Sequence, residues 1–573
     1  MSKVSRAVPV FLLFAFAVVA GAFRLRAYDL FWHLATGRWI LENRAVPRID
    51  PLRFTSESAG WIDHAWLFQL LLRFIEQVAG LNGLVFFRMS AVIALAAILL
   101  RALRRAGAPA AGAVLVAALA ILGARPRLMM RPELATVIAL PALLALLQWF
   151  RRTRSHRPLV GAAMLVVLWA NFHPGVLVAP VVAGAFLFGC NLPGGAKPRR
   201  VGWSNVILVP ALLAAAVLLN PFGWGLYQVP SRIGRALEGL PVVNPEWQRA
   251  WEAPQPALIL GVVGILALVA YTFARTRRID PATGLTTLVL AGLAVSGVRH
   301  QGLFFLGSAF LAAEALADLQ KDETEPKIFF RRWGSALAAA TCLLAALWCL
   351  WPPPSGPLRP RQGPYSSGLG VQPGRFPVKA VDAIRQWPEV GHLYNDVAFG
   401  GYLLWRLYPP RQVFLDGRNE VNPSLLREVA LSRSDSRSWS ALLERYGVDG
   451  ALVRYDDRLR KVLIPGPEGE PAVTYHTTNA LLFPRNRFAL VYWDDLAMFF
   501  VRRTPERSDR LASEEYRYVH PEDRQVTLQA AALDPVVLER ALNEINRRLA
   551  EDPGCQRALS LREDLEAMQR ERI

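Results

Sequence analysis

The chain is poor in cysteine, with Cys190, Cys342, Cys349 and Cys555 as the only four in 573 residues. That scattered spacing supports neither a disulfide framework nor a zinc site. It is also short of acid: 46 Asp and Glu stand against 65 Lys and Arg, a net charge of +19. Such a surplus can mark a nucleic-acid partner, but no base-reading motif accompanies it and the basic residues cluster at the ends of apolar runs, so no nucleic acid is expected. The first apolar run, residues 8–23, has no small-residue cleavage site of the A-x-A kind after Phe23. It therefore reads as a retained membrane span and not as a removed leader.

What the chain has in quantity is long apolar runs. Eleven occur, at residues 8–23, 84–100, 110–124, 134–150, 159–170, 176–189, 206–219, 257–273, 283–298, 302–316 and 333–351. A helix needs about 20 residues to cross about 30 Å of hydrocarbon, and several runs reach that length only with their flanks. Basic clusters such as Arg101, Arg104 and Arg105, or Arg151, Arg152, Arg154 and Arg157, fall in alternate loops. The positive-inside rule puts these loops and the amino terminus in the cytoplasm. Residues 24–83, 125–133, 171–175, 220–256, 299–301 and everything after Pro352 then face outward.

The fold expected is an α-helical multi-pass membrane protein of about eleven spans over residues 1–351, with residues 24–83 as its first outer loop. Residues 352–377 are too rich in proline and glycine for a helix or packed strand and read as an extended linker. Helix-like runs alternate with short strand-like runs at 392–394, 412–415, 451–455, 490–493 and 498–501, predicting an extracytoplasmic α/β domain over 378–510. Residues 520–573 read as a two-helix hairpin of tetratricopeptide type, unable to bury a core alone.

The polar residues of interest gather on the outer side. Residues 29–41 have helical spacing, with Asp29, His33 and Thr36 on one stripe and Leu30, Phe31, Leu34 and Leu41 on another, predicting an amphipathic helix at the membrane surface. Asp63 and His64 lie in WIDH, Arg127 and Arg131 in RPRLMMRPE, His173 in NFHPG, and Arg299 and His300 at the outer end of a span. Ionisable groups at membrane boundaries are candidates for function, with snorkelling or helix capping as the alternative for each. Asp50 in PRIDP and Asp416-Gly417-Arg418 read as turns, and Tyr402, Trp405 and Tyr408 as core aromatics near a strand.

The segments D-x-x-W-H-x-x-T-G (Asp29 to Gly37), W-x-D-H (Trp61 to His64), G-G-Y-L-x-W-R-L-Y-P (Gly400 to Pro409) and D-G-R (Asp416 to Arg418) resemble a group of bacterial multi-pass proteins. That group resembles the GT-C superfamily of membrane glycosyltransferases. The resemblance implies a polyprenyl-phosphate-linked sugar as donor and a loop carboxylate, here Asp29, that accepts a proton from the acceptor while the lipid phosphate leaves. An acceptor hydroxyl needs such a base, and the leaving phosphate needs cations or hydrogen-bond donors. His33, Asp63, His64, Arg127, Arg131, His173, Arg299 and His300 are the substrate-binding candidates. Asp29 is followed by Leu30 and not by a second acid. A divalent metal is left open as cofactor, but Asp29, Asp50 and Asp63 have no ligand spacing and no metal residue is assigned.

The function expected is sugar transfer on the outer face of a bacterial cytoplasmic membrane, to an unidentified glycan, lipid or protein acceptor. The alternatives are a transporter for a lipid-linked glycan and a non-catalytic envelope-assembly scaffold.

Overall fold

The computed structural model describes residues 3–56, 60–194, 200–238, 245–253, 255–321, 325–350, 365–465 and 471–572. Lys197 and Arg199, and residues 352–364 of the expected linker, lie outside them. Thirteen helices come first: α1 (Lys3–Gly21), α2 (Asp29–Asn43), α3 (Trp66–Ala106), α4 (Ala110–Ala124), α5 (Glu133–Thr153), α6 (Arg157–Phe172), α7 (Val178–Gly189), α8 (Trp203–Val217), α9 (Gly225–Leu237), α10 (Pro256–Thr276), α11 (Pro281–Ser296), α12 (Gln301–Leu319) and α13 (Glu325–Leu350).

Hydrocarbon cannot bond backbone groups, so apolar runs satisfy them internally as helices. Six stretches among the described residues are long and apolar enough to cross a membrane: Trp66–Ala106, Ala110–Arg127, Glu133–Thr153, Pro256–Thr276, Val298–Leu319 and Arg332–Leu350. Five further apolar helices are shorter: Ala7–Gly21, Arg157–Phe172, Pro174–Gly189, Trp203–Val217 and Pro281–Ser296. The last outermost-to-core contrast is between α12, 83% buried over its apolar stretch, and α10, 11% buried. The first is the hub against which α4, α10 and α11 pack, and the second turns its side chains to the surroundings. The 41-residue α3 is about 60 Å long at the usual helical rise, more than a bilayer needs. It breaks at Gly80 (φ +63°), where a side chain would be strained, and its first segment lies beneath α2.

Arg88 of α3 shows how one cation is accommodated within the apolar bundle. Its guanidinium donates to the Gly21 and Phe23 carbonyls, just past the end of α1, and stacks on the Phe23 ring at 3.6 Å. The unpaired carbonyls of a helix carboxyl end attract a positive charge.

The outer part differs from expectation in several places. Helix α2 is not an amphipathic helix on the membrane surface: Leu30, Phe31, Trp32, His33, Leu34, Ala35, Thr36 and Gly37 are all buried, because α2 is sandwiched between α3 and α15 (Val397–Leu407). Only its carboxyl end, Leu41 to Asn43, is exposed. The GGYLLWRL segment is helical. Its Tyr402 and Trp405 rings pack on Phe31 with centroids at 4.9 and 5.1 Å. Gly400 and Gly401 permit the approach, since a Cβ would sit 1.9 Å from the Leu415 carbonyl oxygen and 2.7 Å from that of Tyr28 respectively. Arg38 of α2 donates to the Trp405 and Tyr408 carbonyls at the end of α15. One apolar core thus runs continuously from Leu13 in α1 to Leu511 in the outer part.

Beyond α14 (Val378–Arg385), strands β1 (His392–Asn395), β2 (Val448–Arg454), β5 (Phe488–Trp493) and β6 (Ala497–Arg502) form a sheet of order β1-β2-β6-β5, parallel only between β1 and β2. A separate hairpin pairs β3 (Leu459–Pro465) with β4 (Pro471–Thr477). Helices α16 (Pro423–Ser432), α17 (Ser436–Arg445), α18 (Thr478–Leu482) and α19 (Ser508–Glu514) complete this part. The strand expected at 412–415 is reduced to one bridge, Val413 with Arg53 of the first outer loop. Likewise, residues near the end of the expected linker pair with the chain, Ser367 against Phe23 and Val371 against Leu25. The terminal hairpin has three helices and not two: α20 (Arg524–Leu533), α21 (Pro535–Glu551) and α22 (Gln556–Arg572). The division falls where Asp534 caps α21 and Pro535 takes its first position, as helix starts prefer.

Because the Gly400 site has no room for a methyl group, Gly400→Ala is expected to cost roughly 1–3 kcal/mol of stability. A lowered thermal unfolding midpoint in detergent checks this, and an unchanged midpoint refutes the close approach of α15 to the Leu415 backbone.

Candidate functional site

The first outer loop is fastened to the outer part by four buried charges. Arg418 donates to Asp50 at 2.7 Å and to both oxygens of Asp416, while Arg53 donates to Asp416 at 2.5 Å and to the Arg418 carbonyl at 2.7 Å. Burial alone would raise the Asp416 carboxyl, but Arg418 and Arg53 hold it well below the usual carboxylate range. The same attraction from Asp416 and Asp50 outweighs burial and keeps Arg418 firmly charged. Asp50 does make the expected local turn, accepting from the Leu52 backbone at 3.0 Å, but its larger role is in this network. Gly417 is not a conformational necessity either, since its φ is not positive. It matters because a side chain there would meet Asp29, with a Cβ 2.6 Å from Oδ1.

Asp29 opens α2, where a carboxylate is favoured by the helix dipole. It pairs with the Arg131 Nε at 3.1 Å. Arg131 also reaches Glu246 at 3.2 Å, and Glu246 holds Arg127 at 3.3 Å, which in turn lies 3.4 Å from Glu133. Burial opposes the charge on Arg131, yet Asp29, Glu246 and Glu133 raise its pKa overall. Arg299 stacks on Trp247 beside this cluster at 4.1 Å. Four of the expected residues, Asp29, Arg127, Arg131 and Arg299, therefore meet around one acid that the sequence reading passed over. The signal available was weak: Glu246 lies in an outer loop opposite an arginine-rich one.

The histidines form a buried neighbouring group. His33 stacks on Trp32 at 3.6 Å, and its pKa falls well below the ordinary value through burial first and then the charges of His64, Arg131, Arg418 and His173. His173 is lowered in the same way, by burial and then by His64 and Arg299. Gly175 N–H donates to His173 Nδ1 at 3.1 Å, so that nitrogen is an acceptor. Thr136 Oγ1 then donates to it at 2.7 Å while accepting from Trp169 Nε1 at 2.9 Å, which leaves the His173 proton on Nε2. His64 Nδ1 faces the Ile62 carbonyl at 3.3 Å and is the donor there. His300 is set apart in role, bonding the Leu293 carbonyl at the end of α11 at 3.2 Å.

Asp63 accepts from Gln69 Nε2 at 2.6 Å. Burial pushes its carboxyl up to about 7, against the opposing effects of Gln69, the Ala65 backbone and Arg418. On the other side, an open apolar groove of about 180 Å³ runs between α3, α5 and α6. Phe68, Phe87, Ile138, Leu165 and Trp169 line it, and Trp169 links it to the Thr136–His173 pair. No group of three His, Cys, Asp or Glu side chains able to hold a metal occurs among the described residues. Asp29 and Glu246 both face guanidinium groups, so these residues form no ligand set and no step below runs through a metal.

Gly417→Ala is expected to lose roughly 1–3 kcal/mol by forcing the Asp29 carboxylate aside. Thermal unfolding should show that loss cut sharply in an Asp29→Gly background, a coupling absent if the two do not touch. The Asp63 pKa is raised on folding, so its stabilisation is complete below the ordinary value of 3.8 and is lost as pH rises through about 7. Asp63→Asn should therefore flatten the decline in unfolding midpoint across that window relative to wild type, and parallel curves would contradict the raised pKa.

No protein-family model and no curated protein sequence matches the chain. Solved structures do. The archaeal oligosaccharyltransferase AglB from Archaeoglobus fulgidus, in complex with an inhibitory peptide and a dolichol-phosphate, is similar at a TM-score of 0.57 and 13% identity, over 96% of this chain and 86% of that one. A second structure of the Archaeoglobus fulgidus oligosaccharyltransferase, with zinc and sulfate, gives 0.55 and 13% over 94% and 85%. ArnT from Cupriavidus metallidurans bound to undecaprenyl phosphate is also similar, at 0.48 and 12% over 88% and 98%. With its apolar helical bundle and an outer part resting on the first loop, the chain has the GT-C fold of membrane glycosyltransferases.

Proposed function

We propose that this protein is a glycosyltransferase that moves a sugar from a polyprenyl-phosphate donor to an acceptor on the outer face of a bacterial cytoplasmic membrane. The six long and five shorter apolar helices are read together as eleven spans, with the amino terminus cytoplasmic and the outer domain extracytoplasmic. The observation that carries the reading is the Asp29–Arg131–Glu246–Arg127 cluster, two carboxylates and two guanidinium groups, one buried and one half-buried, held together near an apolar groove. That combination suits a donor with an anionic head and a hydrocarbon tail: the groove takes the lipid and the arginines take the phosphate. The dolichol-phosphate in the AglB complex is consistent with such a donor.

In the reaction, the acceptor hydroxyl oxygen attacks the anomeric carbon and the bond from that carbon to the phosphate oxygen breaks. The departing polyprenyl phosphate keeps the bonding electrons, and Asp29 takes the hydroxyl proton. Arg131 and Arg127 stabilise the charge that develops on the phosphate, more effectively because they are largely removed from water. His33 and His173, kept neutral by burial, serve as hydrogen-bonding groups and not as cations.

Membranes containing wild-type protein should incorporate label from a panel of polyprenyl-phosphate sugars into extracted acceptors. Asp29→Asn at matched abundance should lower that rate by about 10²–10⁴-fold. Equal incorporation by both would remove Asp29 from the role of base, and no incorporation by either would count against transfer altogether.

A further inference from the structure

An open groove of about 470 Å³ lies between α9 and α16, within the size range of ligand sites. Arg232, Arg235 and Arg427 line it with Glu420, Pro423 and Ser424. Among the described residues the three guanidinium groups bond only neutral oxygens: Gln228 Oε1 at 3.4 Å, the Ser231 carbonyl at 3.3 Å and the Glu238 carbonyl at 3.1 Å. Three cations against one carboxylate make a mouth that attracts anions.

The groove continues inward. A second, water-sized cavity of about 10 Å³ shares Arg232 and Glu420 with it and is otherwise lined by Gly60, Trp61, Ile62 and Val229. Trp61 is 3% exposed, yet its Nε1 has no hydrogen-bond partner. A buried indole N–H normally finds one, so an unmet donor at the closed end of a groove marks a place for a ligand oxygen. Arg418 lies over the Trp61 ring at 4.6 Å, and Asp63 and His64 are two and three residues further along the chain. Trp32, which packs against Trp61 with centroids 6.3 Å apart, also has an unmet Nε1 and belongs to the turn of α2 that begins at Asp29. The basic mouth and the small cavity beside Trp61 thus share residues, and Trp61 in turn packs on Trp32 of α2.

We propose that the α9–α16 groove binds the acceptor and that the acceptor is an acidic glycan. Arg232, Arg235 and Arg427 hold its carboxylate or phosphate groups, and one of its hydroxyl oxygens fills the water-sized cavity lined by Trp61. The indole offers that oxygen an N–H donor, whereas the arginines select for charge along the chain. This rests on the glycosyl-transfer reading above for its direction of reaction, but not for the existence of the groove.

The test uses the full-length protein in neutral-lipid nanodiscs with labelled tetragalacturonate as probe, beside neutral maltotetraose and tetra-aspartate. Tetragalacturonate should bind in a salt-sensitive manner, and Arg232→Ala/Arg235→Ala/Arg427→Ala should weaken it by about tenfold or more. The matching triple Arg→Lys variant should retain most of the binding, and polyprenyl phosphate should bind the alanine variant as it binds wild type, excluding a folding defect. Failure of tetragalacturonate to bind, equal binding by the alanine variant, or equally tight binding of tetra-aspartate would overturn the proposal. Probe binding that depends on the arginines, without Asp29-dependent sugar transfer, would leave the groove standing and remove the transfer reading. Asp29-dependent transfer without probe binding would do the reverse.

Discussion

The arrangement of the outer face depends on the buried quartet of Asp50, Arg53, Asp416 and Arg418. Taking four charges out of water is costly, and the cost is offset only when each is fully paired. Here two acids and two bases balance, and Arg53 also donates to the Asp416 and Arg418 carbonyls. Removing any one member would leave an opposite charge buried and unmatched, typically about 3–5 kcal/mol of destabilisation. The quartet also fixes position. It seats Gly417 against Asp29 and Arg418 against Trp61 and Trp32, so the carboxylate and its aromatic surroundings take their geometry from a segment nearly 400 residues further along the chain.

A second layer of charge sits on that frame and differs from it in character. Asp29, Arg127, Arg131, Glu133 and Glu246 are also mutually paired, but the Asp29 and Glu246 side chains keep 30% of their exposure, against 0% for Asp416 and Arg418. Pairing at partial exposure is weak enough to be exchanged for a ligand's charge, whereas the quartet is not. Buried ion pairs therefore set the frame, and half-open ones are available for chemistry.

Much of the helical part was legible in the sequence because hydrocarbon imposes one solution on an apolar run, and the alternation of basic loops marks its turns. Asp29, Arg127, Arg131 and Arg299 were legible as ionisable groups at the ends of such runs. The quartet was not, since Asp50 and Arg418 are joined only by folding and each alone has the composition of a turn. Glu246 was hidden for the same reason. The aromatics of GGYLLWRL were read as core residues, but the helix that carries them was not; its glycines let α15 approach α2 and the Leu415 backbone. The β3–β4 hairpin was missed although LRKVLIP and PAVTYHT are separated only by the glycine- and proline-containing GPEGE. A one-sided pattern was expected of α2, but a helix covered on both sides by the same chain has no solvent face to display.

The separation between the quartet's members also bears on how the protein is made. Arg53 and Asp416 are 363 residues apart, and nearly all the apolar helices lie between them. At ordinary synthesis rates that interval is roughly 20–70 s, during which Asp50 and Arg53 have been made but their partners do not yet exist. The first outer loop must therefore wait in water with its charges hydrated, and α2 with its hydrophobic flank uncovered, until the carboxyl-terminal part arrives. A segment made early is among the last to be folded, and the site it carries is assembled only when translation is nearly complete.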